Sequence, residues 1–291
     1  MSEVQVLVLG LLLGGVYALM ASGLTLLFGV MRVVNLAHGA FIILGAYVAF
    51  FAFERLSIDP FISLLVLLPT MFLLGVGLYR LVFTRIESSP RFGEMTVLLT
   101  FGIAFMLEGL MGFLFTGIFR TATPSYALES FRFENGLFIP KAQLFAFLTS
   151  IVLLVALWAF LRLTRTGYGV RATMQNRTAA QIVGVNVRRV SSISFGIGIA
   201  LAGASGALIS FLFPFFPSRH WQWIAILLAL IVLGGLGSLK GAVVGALLLA
   251  VAASFVGHLA GPVWSPLTFF LVLFLILLIR PQGLFGKKVR V

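Results

Sequence analysis

Residues 4–31 read VQVLVLGLLLGGVYALMASGLTLLFGVM, a run without a single Lys, Arg, Asp or Glu. Coiled as a helix, such a run is long enough to cross a hydrocarbon core, which takes roughly 20 residues. Stretches 33–53 and 191–213 are equally free of these four residue types. Across 291 residues the chain is 61% hydrophobic and only 10% charged, with a mean hydropathy of +1.16. Lipid is therefore the solvent for most of it. The apolar segments are about twice the length of barrel strands and do not alternate with period two, so the spanning element is the helix.

Breaks in hydropathy predict spans at 4–30, 33–53, 60–79, 95–119, 142–161, 191–213, 221–239, 241–260 and 264–279. The turns after the first and the seventh span are barely long enough to leave the membrane, and either can be a break inside a re-entrant segment. The expectation is an all-α polytopic bundle of eight or nine spans, one transmembrane domain over 1–291 that includes a cytoplasmic loop at 162–190. Glu3 precedes the first run with no basic residue before it, so that segment is expected to be a retained span rather than a cleaved leader.

Lys and Arg outnumber Asp and Glu by 20 to 8. In a water-soluble chain that balance would suggest nucleic acid; in a membrane protein it marks the cytoplasmic loops. With the N-terminus outside, alternation places Arg32, Arg80, Arg85, Arg91, the six arginines from Arg162 to Arg189, Lys240, Arg280, Lys287, Lys288 and Arg290 inside. Only Arg55, Arg120, Arg132, Lys141 and Arg219 remain outside. The reverse orientation inverts this ratio, so N-out, C-in is the expected topology.

Small residues recur at four-residue spacing, as in Gly10, Gly14, Ala18 and Ser22, in Gly198, Ala202 and Gly206, and in Ala242, Ala246, Ala250 and Ser254. Such stripes let helix backbones approach closely in lipid. His38-Gly39-Ala40 leading to Gly45-Ala46 is echoed by Lys240-Gly241-Ala242 leading to Gly245-Ala246, a candidate internal repeat in which both copies open a span at the cytoplasmic side.

Nucleotide and metal chemistry find little purchase. The glycine-rich run Leu233–Gly241 lacks the Gly-Lys-Ser/Thr order of a phosphate loop, so no nucleotide site or cofactor is expected in this chain. There is no cysteine, and His38, His220 and His258 are far apart in sequence, so no metal site is expected. Glu108 stands apart: a carboxylate inside the span 95–119 costs on the order of 2.5–3.5 kcal/mol by insertion scales. It must face the protein interior, be protonated or find a partner, either as a relay or as a hydrogen bond between helices. Asn35 and His38 share a helical face at the inner mouth of the second span, as gate contacts or as capping groups. Tyr17, Ser22 and Thr25 either line a passage or bond to their own helix.

The loop 162–190 holds six arginines and no acid. Its centre, Arg171–Gly184, reads as one short amphipathic helix ended by glycine and lying at the membrane surface, there to meet lipid headgroups or a cytoplasmic partner. Thr178-Ala179-Ala180 followed by Gly184 resembles the Glu-Ala-Ala…Gly pattern of ATP-binding-cassette (ABC) importer permeases, with Thr178 in place of the usual Glu.

Four further blocks are similar to branched-chain amino acid permeases of the first type. They are Gly15-Val16-Tyr17-Ala18-Leu19, Val34-Asn35-Leu36-Ala37-His38-Gly39-Ala40, Gly169-Val170-Arg171-Ala172…Asn176…Ala180…Gly184, and the ending Ile279-Arg280-Pro281-Gln282-Gly283-Leu284-Phe285-Gly286. The resemblance implies a permease of the bacterial inner membrane that works with a second, related permease, two cytoplasmic ATPase subunits and an external substrate-binding protein, and binds no nucleic acid. It implies a coupling role for Arg171, Asn176, Ala179, Ala180 and Gly184. Relatives in this group carry urea, amides or aromatic acids, so the substrate is open. A self-contained channel or secondary transporter, coupled through Glu108 or the histidines, is the alternative, and an intramembrane enzyme is a third reading.

Overall fold

The computed structural model describes residues 2–87, 89–134 and 136–286; Lys287, Lys288 and Arg290 lie outside them. The chain opens with α1 (Glu3–Met31), capped by Ser2, whose hydroxyl accepts from the Gln5 amide at 3.3 Å. α2 (His38–Leu56) and α3 (Pro60–Leu78) follow; α3 starts from an Asp59 cap with proline at its first position and runs on through a π-helical turn at Tyr79–Phe83 into α4 (Thr84–Ile86). α5 (Phe92–Phe115) leads to a short antiparallel hairpin, β1 (Ser130–Arg132) with β2 (Phe138–Pro140), and then to α6 (Lys141–Leu163). Two short helices, α7 (Arg165–Gln175) and α8 (Arg177–Ile182), precede α9 (Val187–Leu212). α10 (His220–Gly234), α11 (Leu239–Leu259) and α12 (Ser265–Ile279) complete the bundle.

Among the described residues, 8 helical segments are long and apolar enough to cross a membrane. The expected span 221–239 is the exception: α10 has 15 residues, about 22 Å of helix, less than a hydrocarbon core of about 30 Å. Burial orders the rest. The apolar window of α9 is 89% buried and that of α1 61%, against 22% for α6 and 11% for the last helix, so α9 and α1 form the centre and α6 and α12 the lipid-facing shell.

Glycine makes the centre possible. A Cβ at Gly206 of α9 would sit 2.0 Å from the Ile42 carbonyl oxygen of α2, and one at Gly45 of α2 would sit 2.4 Å from the Gly203 carbonyl. The same contacts give helix directions. Gly14 faces Leu247 and Gly10 faces Val251, so α1 and α11 run antiparallel. Leu27 meets Gly198 and Gly23 meets Leu201, so α1 and α9 are antiparallel too. Tyr17 touches Trp223 while Gly29 lies beside Gly237, so α10 runs with α1.

Two segments do not turn at the end of the bundle but fold back into it. After α1, residues 32–37 climb back until the His38 ring lies against Gly23, with Nε2 3.3 Å from the Met20 carbonyl. About 16 Å of helix separates Met20 from the end of α1. After α9, the return through residues 213–219 pairs Phe215 with Arg120 by two 2.9 Å backbone bonds and starts α10 opposite Gly39. α2 and α10 therefore both begin near the middle of α1 and run to opposite ends. This departs from the repeat expected from the Gly-Ala echo: Lys240 opens α11 at the end of the bundle, whereas His38 opens α2 inside it. The pair that matches is helix, inward return and a helix that starts in mid-bundle, α1–α2 against α9–α10.

Gly206→Ala is expected to lower unfolding stability in detergent by about 1–3 kcal/mol, because backbone cannot yield as a flexible side chain can. Gly102→Ala on α5, where nothing lies within 4 Å of the new Cβ, is expected to be neutral or to stabilise by up to about 1 kcal/mol through helix propensity.

Candidate functional site

The first amino acids of α10 sit where three other helices converge. Glu108, on α5, accepts from His220 Nε2 at 3.0 Å and from Trp221 Nε1 at 2.9 Å, both bonds falling on Oε2. The backbone N–H groups of a helix's first turn have no partner within the helix and give that end partial positive charge, which favours an anion beside it. Glu108 thus finds two side-chain donors and a helix end, which reconciles a carboxylate with an apolar helix. The sequence shows that Glu108 needs a partner; it does not show that the partner stands 112 residues away.

Tyr17 packs edge-on against Trp223 at 6.1 Å and Phe269 at 5.7 Å. His38 is fully buried, its Nδ1 without a hydrogen-bond partner, and a Cβ on the next residue, Gly39, would lie 2.5 Å from the His220 carbonyl. Asn35 is also buried and stabilises the return segment: its Oδ1 accepts from the Ala37 amide at 3.1 Å. Tyr17, Asn35, His38 and Glu108 are thus gathered around the starts of α2 and α10. For Asn35 and His38 this replaces the expected position at the inner mouth with one deep in the bundle. Thr25 does not join them; its hydroxyl donates to the Ala21 carbonyl of its own helix at 2.7 Å, as Ser22 does to Ala18.

At the end of the bundle where α1 and α10 finish, the arginine-rich loop is built into the fold. The single helix expected over Arg171–Gly184 is two: Asn176 is extended (φ −153°, ψ 110°), closes α7 and caps α8 by accepting from the Ala179 amide at 3.0 Å. Arg32, the left-handed cap of α1, donates to the Met174 carbonyl at 2.8 Å. Glu87 accepts from Arg177 and, at 3.2 Å, from Arg188, joining the residue after α4 to α8 and α9. Arg171 turns its guanidinium over the Tyr168 ring at 4.8 Å, within its own helix, and Ala180 is buried. Thr178, Ala179, Gln181 and Gly184 remain exposed with Ile182 and Val183, which are 81% and 76% exposed. Gly184 takes φ +85°, the turn that ends α8.

A family model described as branched-chain amino acid transport system / permease component matches residues 6–279. The chain belongs to this permease family. It is 27% identical to the high-affinity branched-chain amino acid transport system permease protein BraD of Pseudomonas aeruginosa, over 97% of this chain and 95% of that one. It is equally identical to LivH of Escherichia coli, over 96% and 94%, and to a probable branched-chain amino acid transport permease protein LivH of Methanocaldococcus jannaschii, over 98% and 93%. No solved structure matches. The permease is a multi-pass membrane protein, and its relatives span the same length.

For a permease, the α7–α8 unit at one end and polar groups in the middle are parts that can be perturbed separately. Asn176→Ala removes the α8 cap and is expected to cost about 0.5–2 kcal/mol of local stability. Hydrogen exchange should show faster exchange of the Ala179 and Ala180 amides with no change at α1 or α9.

Proposed function

We propose that this permease forms one half of the passage of an ATP-driven importer for branched-chain or similar small hydrophobic amino acids. Its relatives' names carry the substrate class. The energy enters through α8. An apolar tip, Ile182 and Val183, stands exposed at the end of the bundle that also carries Arg32, Arg177, Arg188 and Arg189. A soluble subunit covering that tip gains apolar burial, and the ties of Met174 to Arg32 and of Glu87 to Arg177 and Arg188 carry its motion to α1, α4 and α9. This observation carries the reading.

The basic end faces the cytoplasm of a bacterial inner membrane, which gives N-out, C-in. With α10 running from mid-bundle to that end, α11 outward and α12 inward, the end of α12 returns to the same side. Two ATPase subunits bind ATP there, and the chain itself holds no cofactor. A second, homologous permease completes the passage, and an external binding protein delivers the cargo. Within the coupling segment, Arg171, Asn176 and Ala180 set the shape of the loop, while Ala179 and Gly184 lie on the docking face with Ile182 and Val183.

Ile182→Asp is expected to reduce ATP-dependent uptake and co-purification of the ATPase by about tenfold or more, the scale for charging the apolar centre of an interface, with unchanged amounts of permease in the membrane. Unchanged co-purification would contradict the assignment of α8. Uptake by the purified chain alone, without ATP, would instead mean a self-contained transporter with Glu108 and His220 as its coupling pair.

A further inference from the structure

The side chain of Glu108 is 24% exposed, and both of its hydrogen bonds fall on Oε2. Oε1 has no hydrogen-bond partner among the described residues. An ionisable group that reaches the surface of a membrane-embedded helix does not face acyl chains without cost, about 2.5–3.5 kcal/mol by insertion scales. The face that carries it is also unusual in composition. Phe101, Phe105, Glu108 and Gly112 fall on one side of α5, at spacings of four, three and four residues. Phe101 and Phe105 are 40% and 51% exposed. Their rings meet each other at 4.7 Å and the Trp221 ring at 5.5 and 5.2 Å. Above the carboxylate Gly112 leaves open space, with nothing within 4 Å of where its Cβ would be.

Accepting the permease reading above, we propose that this face of α5 is a cargo site in the passage, with Glu108 Oε1 receiving the α-ammonium group of the amino acid. The Phe101–Phe105–Trp221 surface receives its apolar side chain. His220 and Trp221 are positioning residues: by donating to Oε2 at the positive end of α10 they aim the carboxylate and leave Oε1 to the ligand. The selectivity that follows is for a compact cation with an apolar body. A carboxylic acid lacking the amine is repelled, and a polar side chain loses the aromatic contact. Charge complementarity favours the ammonium group over a lipid tail as occupant, and the open space beside Gly112 gives a small ligand room that a tightly packed helix face lacks.

Hydrophobic carbodiimide labelling of Glu108 in the assembled transporter, read by mass spectrometry, tests this directly. L-leucine and 3-methylbutylamine, which share the ammonium group, are expected to protect Glu108, and 4-methylpentanoate, which lacks it, is not. Glu108→Gln keeps an oxygen acceptor for His220 and Trp221 and removes only the charge. It is expected to retain the wild-type melting temperature and to raise the KM for leucine uptake by about tenfold or more, the scale for losing a charge-assisted bond. A purely structural role predicts rescue by glutamine instead. Gly112→Leu fills the space before the carboxylate without touching its donors, and is expected to abolish amine protection in folded protein. Protection by 4-methylpentanoate, no protection by the amine, or wild-type KM in Glu108→Gln overturns the site. Absence of leucine uptake by the wild-type complex with ATP would instead overturn the permease reading, and amine protection of Glu108 would then stand alone.

Discussion

The close approach of bare backbone where α2, α9 and α10 cross is the constraint on which the rest of the fold depends. In lipid there is no hydrophobic drive between helices, so association rests on contact between surfaces that fit. Gly45 and Gly206 bring α2 onto α9 at distances that no Cβ tolerates, and Gly39 brings the start of α2 against the His220 carbonyl. Once these backbones touch, α2 and α10 must begin inside the bundle. The segments that reach them are irregular, and irregular backbone at that depth needs partners. They have them: the Leu36 amide donates to Thr100, the Ala37 amide to Asn35, and Phe215 pairs with Arg120.

Two helices that start in mid-bundle place two positively polarised ends where a transporter keeps its polar groups. One of them, at α10, is matched by Glu108; around both lie His38 and Tyr17. The opposite demand is met at the basic end, where Arg32, Glu87, Arg177 and Arg188 fasten α7 and α8 to the long helices. Ion pairs and hydrogen bonds thus tie the basic end together while the polar groups lie in mid-bundle, and α1 connects the two regions, running from Tyr17 to the Arg32 cap.

Much of this was legible in the residues. Uninterrupted apolar runs sufficed for α1, α2, α9 and α11, because length and composition alone decide whether a helix crosses lipid. The shortness of α10 was only half legible: its start agrees with the expected span to within one residue, but the helix stops at Gly234, five residues early, where Gly235 and Gly237 take positive φ and turn the chain into α11. Asn176 looked like one polar residue in a helix; its extended backbone, which splits that helix, follows from its carbonyl-bearing side chain capping α8. Glu108 announced a need without naming its partner, since nothing in sequence spacing relates it to His220. Thr25 and Ser22 resembled passage groups, yet a buried hydroxyl finds its own helix carbonyl more readily than any ligand.

The central claim, that α2 and α10 meet backbone to backbone at their starts, is tested most directly at Gly39, where a Cβ would lie 2.5 Å from the His220 carbonyl oxygen. Thermal unfolding of the purified protein in detergent reads it. Gly39→Ala should lower the melting temperature by the equivalent of about 1–3 kcal/mol, because the facing backbone cannot yield. A wild-type melting transition in Gly39→Ala would contradict the arrangement of the two helices.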